Sequence, residues 1–219
     1  MRDMKVKEFF IGIFKRIKSN LTWKSAIFFG VFAVLLATDL ITKHLEELNS
    51  WNFTVIPGFI EVESGHRNPG AGFSWLADKS WGQPFLIALT FVLCAVIVGF
   101  MLGLSDDRHF VLKLCLYIVF AGAIGNLVDR LAFGEVRDFV WLLIVDAYCN
   151  FADFWIVLGG IALVVVLLFF DEGAVFPLTR RAKQAQRERG EGKDGSPAGD
   201  PAERPEEGED SPEEGDGER

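Results

Sequence analysis

Histidine and cysteine are scarce in this chain of 219 residues, and their scarcity argues against several kinds of catalytic site. The three histidines, His44, His66 and His109, form no H-E-x-x-H motif, which disfavours a zinc protease of that kind. The motif G-x-S-x-G is also missing, which disfavours a serine hydrolase built on that turn. From these absences we expect a site that uses no metal ion and no cofactor.

The cysteines indicate packing residues. There are three, Cys94, Cys115 and Cys149, and an odd number without a C-x-x-C pair argues against a disulfide framework or a zinc site. Cys94 and Cys115 lie inside apolar runs, where cysteine behaves as a small buried hydrophobe. No histidine adjoins Cys149 in sequence to act as its base, so we interpret this residue too as a packing residue.

Acidic charge is concentrated at the C-terminus. Residues 191–219 contain 12 acidic and 3 basic side chains, so their net charge is −9 and the rest of the chain is close to neutral. A segment of this composition cannot bury enough apolar surface to order itself. We therefore predict a charged tail over residues 171–219, disordered from about residue 188. The acidity of this tail says nothing about a partner of the remaining chain, for which we expect no nucleic acid.

Long apolar runs dominate the remainder of the chain. They cover about residues 26–45, 84–104, 110–131 and 151–170, and each is close to the roughly 20 residues that a helix needs to span the hydrocarbon of a bilayer. The sequence therefore predicts an all-α integral membrane protein with four transmembrane helices in a domain over residues 25–170.

A cleaved signal peptide is the competing interpretation of the first run. Its apolar region would be Ala26–Ala37, but no A-x-A cleavage site follows. The helical pattern also continues through Asp39 and Lys43, which are spaced i, i+4 and can form an ion pair on one helix face. We therefore predict an uncleaved first span with a polar far end.

Residues 49–80 lie between the first two spans and contain the signals of a short β-hairpin. Phe53–Ile56 and Phe59–Glu63 are rich in strand formers, and Pro57-Gly58 between them is a turn dipeptide. We therefore predict a small extracytoplasmic β-rich cap in this segment.

Basic residues predict the orientation. The lead over residues 1–24 contains seven lysines and arginines, and further basic residues follow the fourth span, whereas residues 49–83 contain only Arg67 and Lys79. The positive-inside rule then places both termini in the cytoplasm and the cap on the outer side.

The stretch from Gly125 to Asp153 contains the best candidates for catalytic residues. Asp138 follows the third span and Asp153 opens the fourth, so a short connection can bring both carboxylates to the same membrane rim. Two carboxylates held close share a proton, so that one can activate water while the other protonates a substrate. On the third helix, Asn126, Asp129 and Arg130 share a face, where Arg130 can hold a carboxylate by a bidentate contact and Asn126 can donate to a substrate.

Three other interpretations of these polar residues stay open at this point. Asn and Asp are common helix caps, so the same side chains can be caps and interhelical pairs without a chemical role. A small proton- or ion-coupled transporter can use intramembrane carboxylates as relays, although no internal repeat is present. A non-catalytic membrane scaffold whose tail recruits partners is the third.

An ordered set of motifs resembles the lipoprotein signal peptidases, also called signal peptidase II, which are bacterial membrane aspartyl proteases. In chain order these motifs are Asp39-x-x-x-Lys43, Val55-Ile-Pro-Gly-Phe59, Arg67-Asn-Pro-Gly-Ala-Gly-Phe-Ser74, Gly122-Ala-Ile-Gly-Asn-Leu-Val-Asp-Arg130, Val136-Arg-Asp-Phe139 and Asn150-Phe-Ala-Asp153. They extend over roughly Ala26 to Phe170, with four spans placed as in that family.

The resemblance implies an enzyme of the cytoplasmic (inner) membrane that removes signal peptides from prolipoproteins, just before a cysteine that carries diacylglyceryl. Asp138 and Asp153 match the catalytic aspartates. The other matching positions support the site or contact substrate: Asn68, Asn126, Asp129, Arg130, Asn150, Asp39 and Lys43. The expected partners are lipidated prolipoprotein, membrane lipid and a globomycin-type inhibitor, and the expected state is a monomer.

Overall fold

The computed structural model describes residues 22–70, 78–104, 106 and 109–170, together with isolated residues before and after them. Most of the predicted basic lead (residues 1–24) and of the predicted charged tail (171–219) lies outside the described residues. So do residues 71–77, which belong to the segment of the predicted cap (49–80) and include the end of the motif Arg67–Ser74.

Four helices form the body of the protein. Within the described residues they are α1 (Trp23–Asn49), α2 (Gly82–Gly103), α3 (Phe110–Phe133) and α4 (Phe151–Val165), the last continued by a π-helical turn over Val166–Phe170. All four are long and apolar enough to cross a membrane, so the predicted spans are confirmed. The helices exceed some of the predicted bounds by several residues, because hydropathy marks the apolar segment whereas the backbone helix continues into its polar ends.

Helix α3 lies at the centre of the bundle. It packs against α1, α2 and α4 and carries more buried residues than any of them. The outward faces of its neighbours expose large apolar side chains, such as Val34, Val92 and Leu158, each more than half exposed. This distribution is the one expected of helices whose outer faces contact lipid instead of water.

Two glycines bring α3 close to α1 and α4. A methyl group at Gly122 would collide with the carbonyl oxygen of Ala152 in the first turn of α4. A methyl group at Gly125 would lie 2.5 Å from Asp39 Oδ2 in α1. Small residues at such positions let helix backbones approach in a membrane, and here they set the distance between three helices at their polar ends.

We expect the substitution Gly122→Ala to destabilise the protein by about 1–3 kcal/mol, the usual cost of overpacking a tight contact. The matched control is Gly99→Ala in α2, where the added methyl meets no atom within 4 Å. Thermal unfolding in detergent should show a melting temperature several degrees lower for Gly122→Ala and no decrease for Gly99→Ala. Equal melting temperatures for the two variants would contradict the close α3–α4 contact.

A four-stranded antiparallel sheet covers one end of the bundle. Its strands are β1 (Asn52–Ile56), β2 (Ile60–Asn68), β3 (Val136–Leu142) and β4 (Ala147–Cys149), and they lie side by side in that order. We call this sheet the cap. Strands β1 and β2 confirm the predicted hairpin.

Half of the cap was not predicted, because the cap was expected within residues 49–80. Strands β3 and β4 come instead from the segment between the last two helices. The local pattern conceals β3, since Val136–Val140 is buried on both faces and shows no alternation of polar and apolar residues.

The pairing of β2 with β3 places polar side chains over the helix ends. His66 pairs with Asp138 and Asn68 with Val136, and the register shifts between Val62 and His66. In the same two strands, Val62, Phe139 and Val140 form a small apolar core. The apolar core therefore fixes the strand that carries Asp138.

A second polar cluster lies at the other end of the bundle, where α1 and α3 begin. Buried Asp106 accepts hydrogen bonds from Ser25 Oγ at 2.7 Å and Thr22 Oγ1 at 3.0 Å, and it pairs with Lys113 Nζ at 2.5 Å. Burial raises the pKa of Asp106, but the bonds from Lys113, Ser25 and Thr22 outweigh it and hold the pKa below its usual range. Asp106 is therefore an ionised link between the starts of α1 and α3.

Candidate active site

The nine polar residues singled out in the sequence come together where the cap meets the helices. They lie on the C-terminal halves of α1 and α3, on the start of α4 and on strands β2 and β3. Hydrogen bonds and ion pairs join eight of them into one cluster, and Arg130 lines the same cavity: Asp39, Lys43, Asn68, Asn126, Asp129, Arg130, Asp138, Asn150 and Asp153.

Asp138 and Asp153 line one cavity of about 290 Å³ at the helix rim. Asp138 is 1% exposed and accepts hydrogen bonds from Asn150 Nδ2 at 2.6 Å and from Asn68 Nδ2 at 3.0 Å. Asp153 accepts from Asn126 Nδ2 at 2.7 Å. Side-chain amides therefore hold both carboxylates, and their remaining lone pairs can face the cavity.

Asn150 connects the two carboxylates. Its side-chain amide donates to Asp138, and its backbone N–H donates to Asp153 Oδ2 at 3.1 Å. In return its Oδ1 accepts from the backbone N–H of Asp153 at 3.1 Å, so the two residues form the capping box that begins α4. The interpretation of these residues as helix caps is therefore correct for Asn150. The capping box of α4 is also part of the polar cluster.

The carboxyl group of Asp138 titrates near neutral pH. Burial raises its pKa from 3.8, the repulsion from Asp153 raises it further, and the result is about 7 despite the opposing bonds from Asn68 and Asn150. A carboxyl group that titrates near neutrality can donate a proton to a substrate, whereas an unperturbed aspartic acid cannot. The pair can thus carry out acid and base steps at physiological pH.

Lys43 supplies the charge that balances two further carboxylates. Its Nζ lies 2.8 Å from Asp39 Oδ2 and 3.3 Å from Asp129 Oδ2, and none of these three side chains is exposed. The same Nζ donates to Asn126 Oδ1 at 3.1 Å. The predicted pair of Asp39 with Lys43 is present, and through Asn126 it is connected to Asp153.

The carboxylate contact that was predicted for Arg130 is made by Arg137. Arg137 Nη2 lies 2.7 Å from Asp129 Oδ1, and its backbone N–H donates to the other oxygen at 3.1 Å. Arg130 Nη2 donates to the carbonyl oxygen of Gly70 at 3.0 Å, and its buried Nε has no acceptor among the described residues. The two-residue alternation of a strand was the available signal, since it turns Arg137 away from the face that carries Asp138.

Asn126 and Asn68 are engaged within the protein. Asn126 was predicted to donate to a substrate, but its amide donates to Asp153 and its oxygen accepts from Lys43 and Asn150. Asn68 Oδ1 accepts from the backbone N–H of Gly70 at 2.9 Å while its amide donates to Asp138. Both asparagines therefore orient the aspartate pair.

Other residues of the cavity wall were not predicted as site residues. Strand β4 contributes Tyr148 and Cys149. The Cys149 thiol donates to the carbonyl of Val140, and burial, with the charges of Asp153 and Asp138, raises its pKa to about 12. This thiol stays protonated, as expected of a packing residue. Among the described residues no three His, Cys, Asp or Glu side chains are grouped to hold a metal ion.

Comparisons with known proteins agree with one another. The family profile described as signal peptidase (SPase) II matches residues 31–169. The chain is 36% identical over 152 residues to a lipoprotein signal peptidase of Geobacter metallireducens, covering 67% of this chain and 92% of that one. It is 30% identical over 168 residues to that of Staphylococcus aureus strain JH9, covering 74% and 91%.

Solved structures give the same result for the fold. A bacterial membrane enzyme determined by the in meso method at 2.3 Å superposes with a TM-score of 0.57 at 28% identity, covering 65% of this chain and 88% of that one. A second, at 1.9 Å, superposes with a TM-score of 0.55 at 26% identity, covering 65% and 93%.

Proposed function

Since the chain belongs to the signal peptidase II family and is a membrane aspartic endopeptidase that processes bacterial lipoproteins, we propose that Asp138 and Asp153 are its catalytic pair. The observation that carries the proposal is the shared cavity in which amide groups hold both carboxylates while the pKa of Asp138 reaches about 7. The transporter interpretation receives no support from any comparison.

The proposed substrate is a prolipoprotein whose cysteine carries diacylglyceryl, cut just before that cysteine. The position of the site supports this choice, because the carboxylates lie where the apolar helices end and the cap begins. A diacylglyceryl cysteine is held at the membrane surface by its acyl chains. A site at the helix rim therefore meets the scissile bond without extracting the lipid.

In the proposed mechanism a water molecule attacks the scissile carbonyl directly. Asp153 acts as the base and takes a proton from the water as the water oxygen bonds to the carbonyl carbon. Protonated Asp138 gives its proton to the leaving amine as the C–N bond breaks, and the two carboxyl groups then exchange the remaining proton. No covalent enzyme intermediate forms, and no metal takes part.

Arg130 is the proposed contact for the substrate backbone. It lines the cavity, and its buried Nε has no acceptor among the described residues. A peptide carbonyl in the cavity would satisfy that donor. The other polar residues act as positioning groups: Asp39, Lys43, Asn68, Asn126, Asp129 and Asn150 orient the aspartates through the bonds given above.

We further propose that the protein lies in the bacterial cytoplasmic membrane as a monomer, with both termini in the cytoplasm and the site at the outer face. The distribution of lysine and arginine supports this orientation. The proposed organisation keeps a basic lead (1–24), a peptidase domain (25–170) and a charged tail (171–219). Membrane lipid and a globomycin-type inhibitor are the other proposed ligands.

The proposed function is tested with purified protein in detergent. It is incubated with a diacylglyceryl prolipoprotein, with and without globomycin, and the products are weighed by mass spectrometry. We expect loss of the signal peptide mass from the lipidated precursor and its inhibition by globomycin. A scaffold or a transporter would leave the precursor intact.

The pKa of Asp138 predicts the pH dependence of the enzyme. Because the general acid must be protonated, kcat/KM should fall about tenfold per pH unit above about pH 7. Asp138 binds its proton more tightly in the folded protein than in the unfolded chain. The proton therefore stabilises the fold fully below about pH 4, and this stabilisation is lost as the pH rises through about 7. A rate profile that stays flat from pH 6 to 9 would contradict the assignment.

A further inference from the structure

An open apolar groove lies beside the catalytic cavity, at the end of the cap where its hairpins turn. We call it the hairpin groove. Its volume is about 440 Å³, and its lining is entirely apolar: Ile56, Phe59, Ile60, Leu142, Ile144 and Val145. Four of these side chains are about half exposed or more, including Ile144 at 72%. A patch of this kind is a recognised mark of a binding surface.

Backbone hydrogen bonds hold the two turns that form the groove in a fixed arrangement. The β1–β2 turn is closed by the bond from Phe59 N–H to Ile56 O at 3.0 Å. The β3–β4 turn is closed by the bond from Val145 N–H to Leu142 O at 3.2 Å. A third bond, from Leu143 N–H to Phe59 O at 3.0 Å, ties the two turns together. The groove walls therefore have a fixed separation.

The hairpin groove and the catalytic cavity share part of their walls. Leu142 and Val145 line both spaces, and the cavity on the other side contains Asp138 and Asp153. The two spaces therefore adjoin at Leu142 and Val145, beside the proposed catalytic pair.

We propose that the hairpin groove binds one acyl chain of the diacylglyceryl group on the substrate cysteine. This inference rests on the proposed function, because only a lipidated substrate brings an acyl chain to this place. The lipid is attached to the residue next to the scissile bond, so its chains must leave the cavity close to the carboxylates. An all-apolar groove offers nothing to a polar peptide but matches a hydrocarbon chain.

Ile144 sets the preference for acyl length in this account. It lines the groove and not the catalytic cavity, and it is the most exposed of the side chains that line the groove. Each methylene removed from water favours binding by up to about fourfold. Chains that reach Ile144 should therefore bind more tightly than chains that stop before it.

The test compares two diacylglyceryl prolipopeptides with the same peptide and with octanoyl or palmitoyl chains, measured in one detergent. The variants are Ile144→Asn and Ile56→Asn, one from each turn. The matched control is Val55→Asn, since Val55 is 52% exposed and adjoins the groove in sequence without lining it.

For both groove variants we expect the KM of the palmitoyl substrate to rise about tenfold, with kcat and the octanoyl KM changed less than twofold. Val55→Asn should behave as the wild type, and Ile144→Leu should restore the palmitoyl KM.

Three other outcomes would overturn the proposal. If the groove variants raise KM equally for both chain lengths, or change neither, the acyl assignment is wrong. If they impair cleavage of both substrates in bilayers but not in micelles, the groove contacts membrane lipid and the proposal is overturned. If the wild type cleaves neither substrate, the proposed function itself fails, and the inference fails with it.

Discussion

Replacement of Asp138 or Asp153 by asparagine is expected to lower kcat for cleavage of a lipidated prolipoprotein by at least 10²–10⁴-fold, the range for loss of general acid–base catalysis. Asparagine keeps the shape of the side chain but can neither ionise nor give up a proton at neutral pH. Because the two carboxyl groups act as a unit, each single variant should cost about as much as the double variant.

The fold should survive these substitutions. An asparagine at position 138 can still accept the hydrogen bond from Asn150 through its remaining oxygen, and only the contact with Asn68 must rearrange. The melting temperature in detergent should therefore stay within a few degrees of the wild type. Loss of activity with an intact fold separates a chemical role from a structural one.

Asp146→Asn is the matched control for both variants. Asp146 lies in the turn between β3 and β4, is exposed, and does not line the catalytic cavity. Its φ of 48° is a left-handed conformation that asparagine tolerates. We expect full turnover in this variant. Turnover above a tenth of the wild-type value in Asp138→Asn or Asp153→Asn would refute the catalytic pair.

The largest effect on stability is expected from Lys43→Met. This change leaves Asp39 and Asp129 without the cation that both contact in a fully buried place. Removing one partner of a buried ionic group costs about 3–5 kcal/mol, which corresponds to a decrease of roughly 10 °C in melting temperature at this chain length. Asn126 also loses its Lys43 donor, so the orientation of Asp153 and the activity should suffer as well.

Two further variants separate charge from packing. Lys79→Met removes an exposed lysine outside the helices and should change neither the melting temperature nor the activity. Adding Asp39→Asn to Lys43→Met removes one uncompensated carboxylate and should recover part of the lost stability. If the double variant is less stable than Lys43→Met alone, the charge account of this cluster is wrong.

The spans and most of the polar cluster could be predicted from sequence because their signals are local or ordered along the chain. Runs of about 20 apolar residues mark membrane helices whatever their tertiary neighbours. The spacing of Asp39 and Lys43 by one helical turn likewise predicts their contact without knowledge of the fold. Asp138 and Asp153 were found because each adjoins a span, where a carboxylate is costly.

The missed features depend on contacts between distant segments. Strand β3 is buried on both sides, so its sequence lacks the alternation that reveals a half-exposed strand. The contact of Arg137 with Asp129 depends on how β3 approaches the end of α3, which no local spacing records. The hairpin groove needs both turns of the cap, and no local sequence pattern predicts strands β3 and β4.

The most direct test of the central claim is a single turnover of diacylglyceryl prolipoprotein in H₂¹⁸O, with all products and the intact enzyme weighed by mass spectrometry. The account predicts one ¹⁸O atom in the new carboxylate of the signal peptide, a mature product that begins with the lipidated cysteine, and an enzyme of unchanged mass throughout. An enzyme–peptide adduct, ¹⁸O incorporated into an aspartate of the enzyme, or a cut at another bond would contradict direct attack of water activated by Asp138 and Asp153.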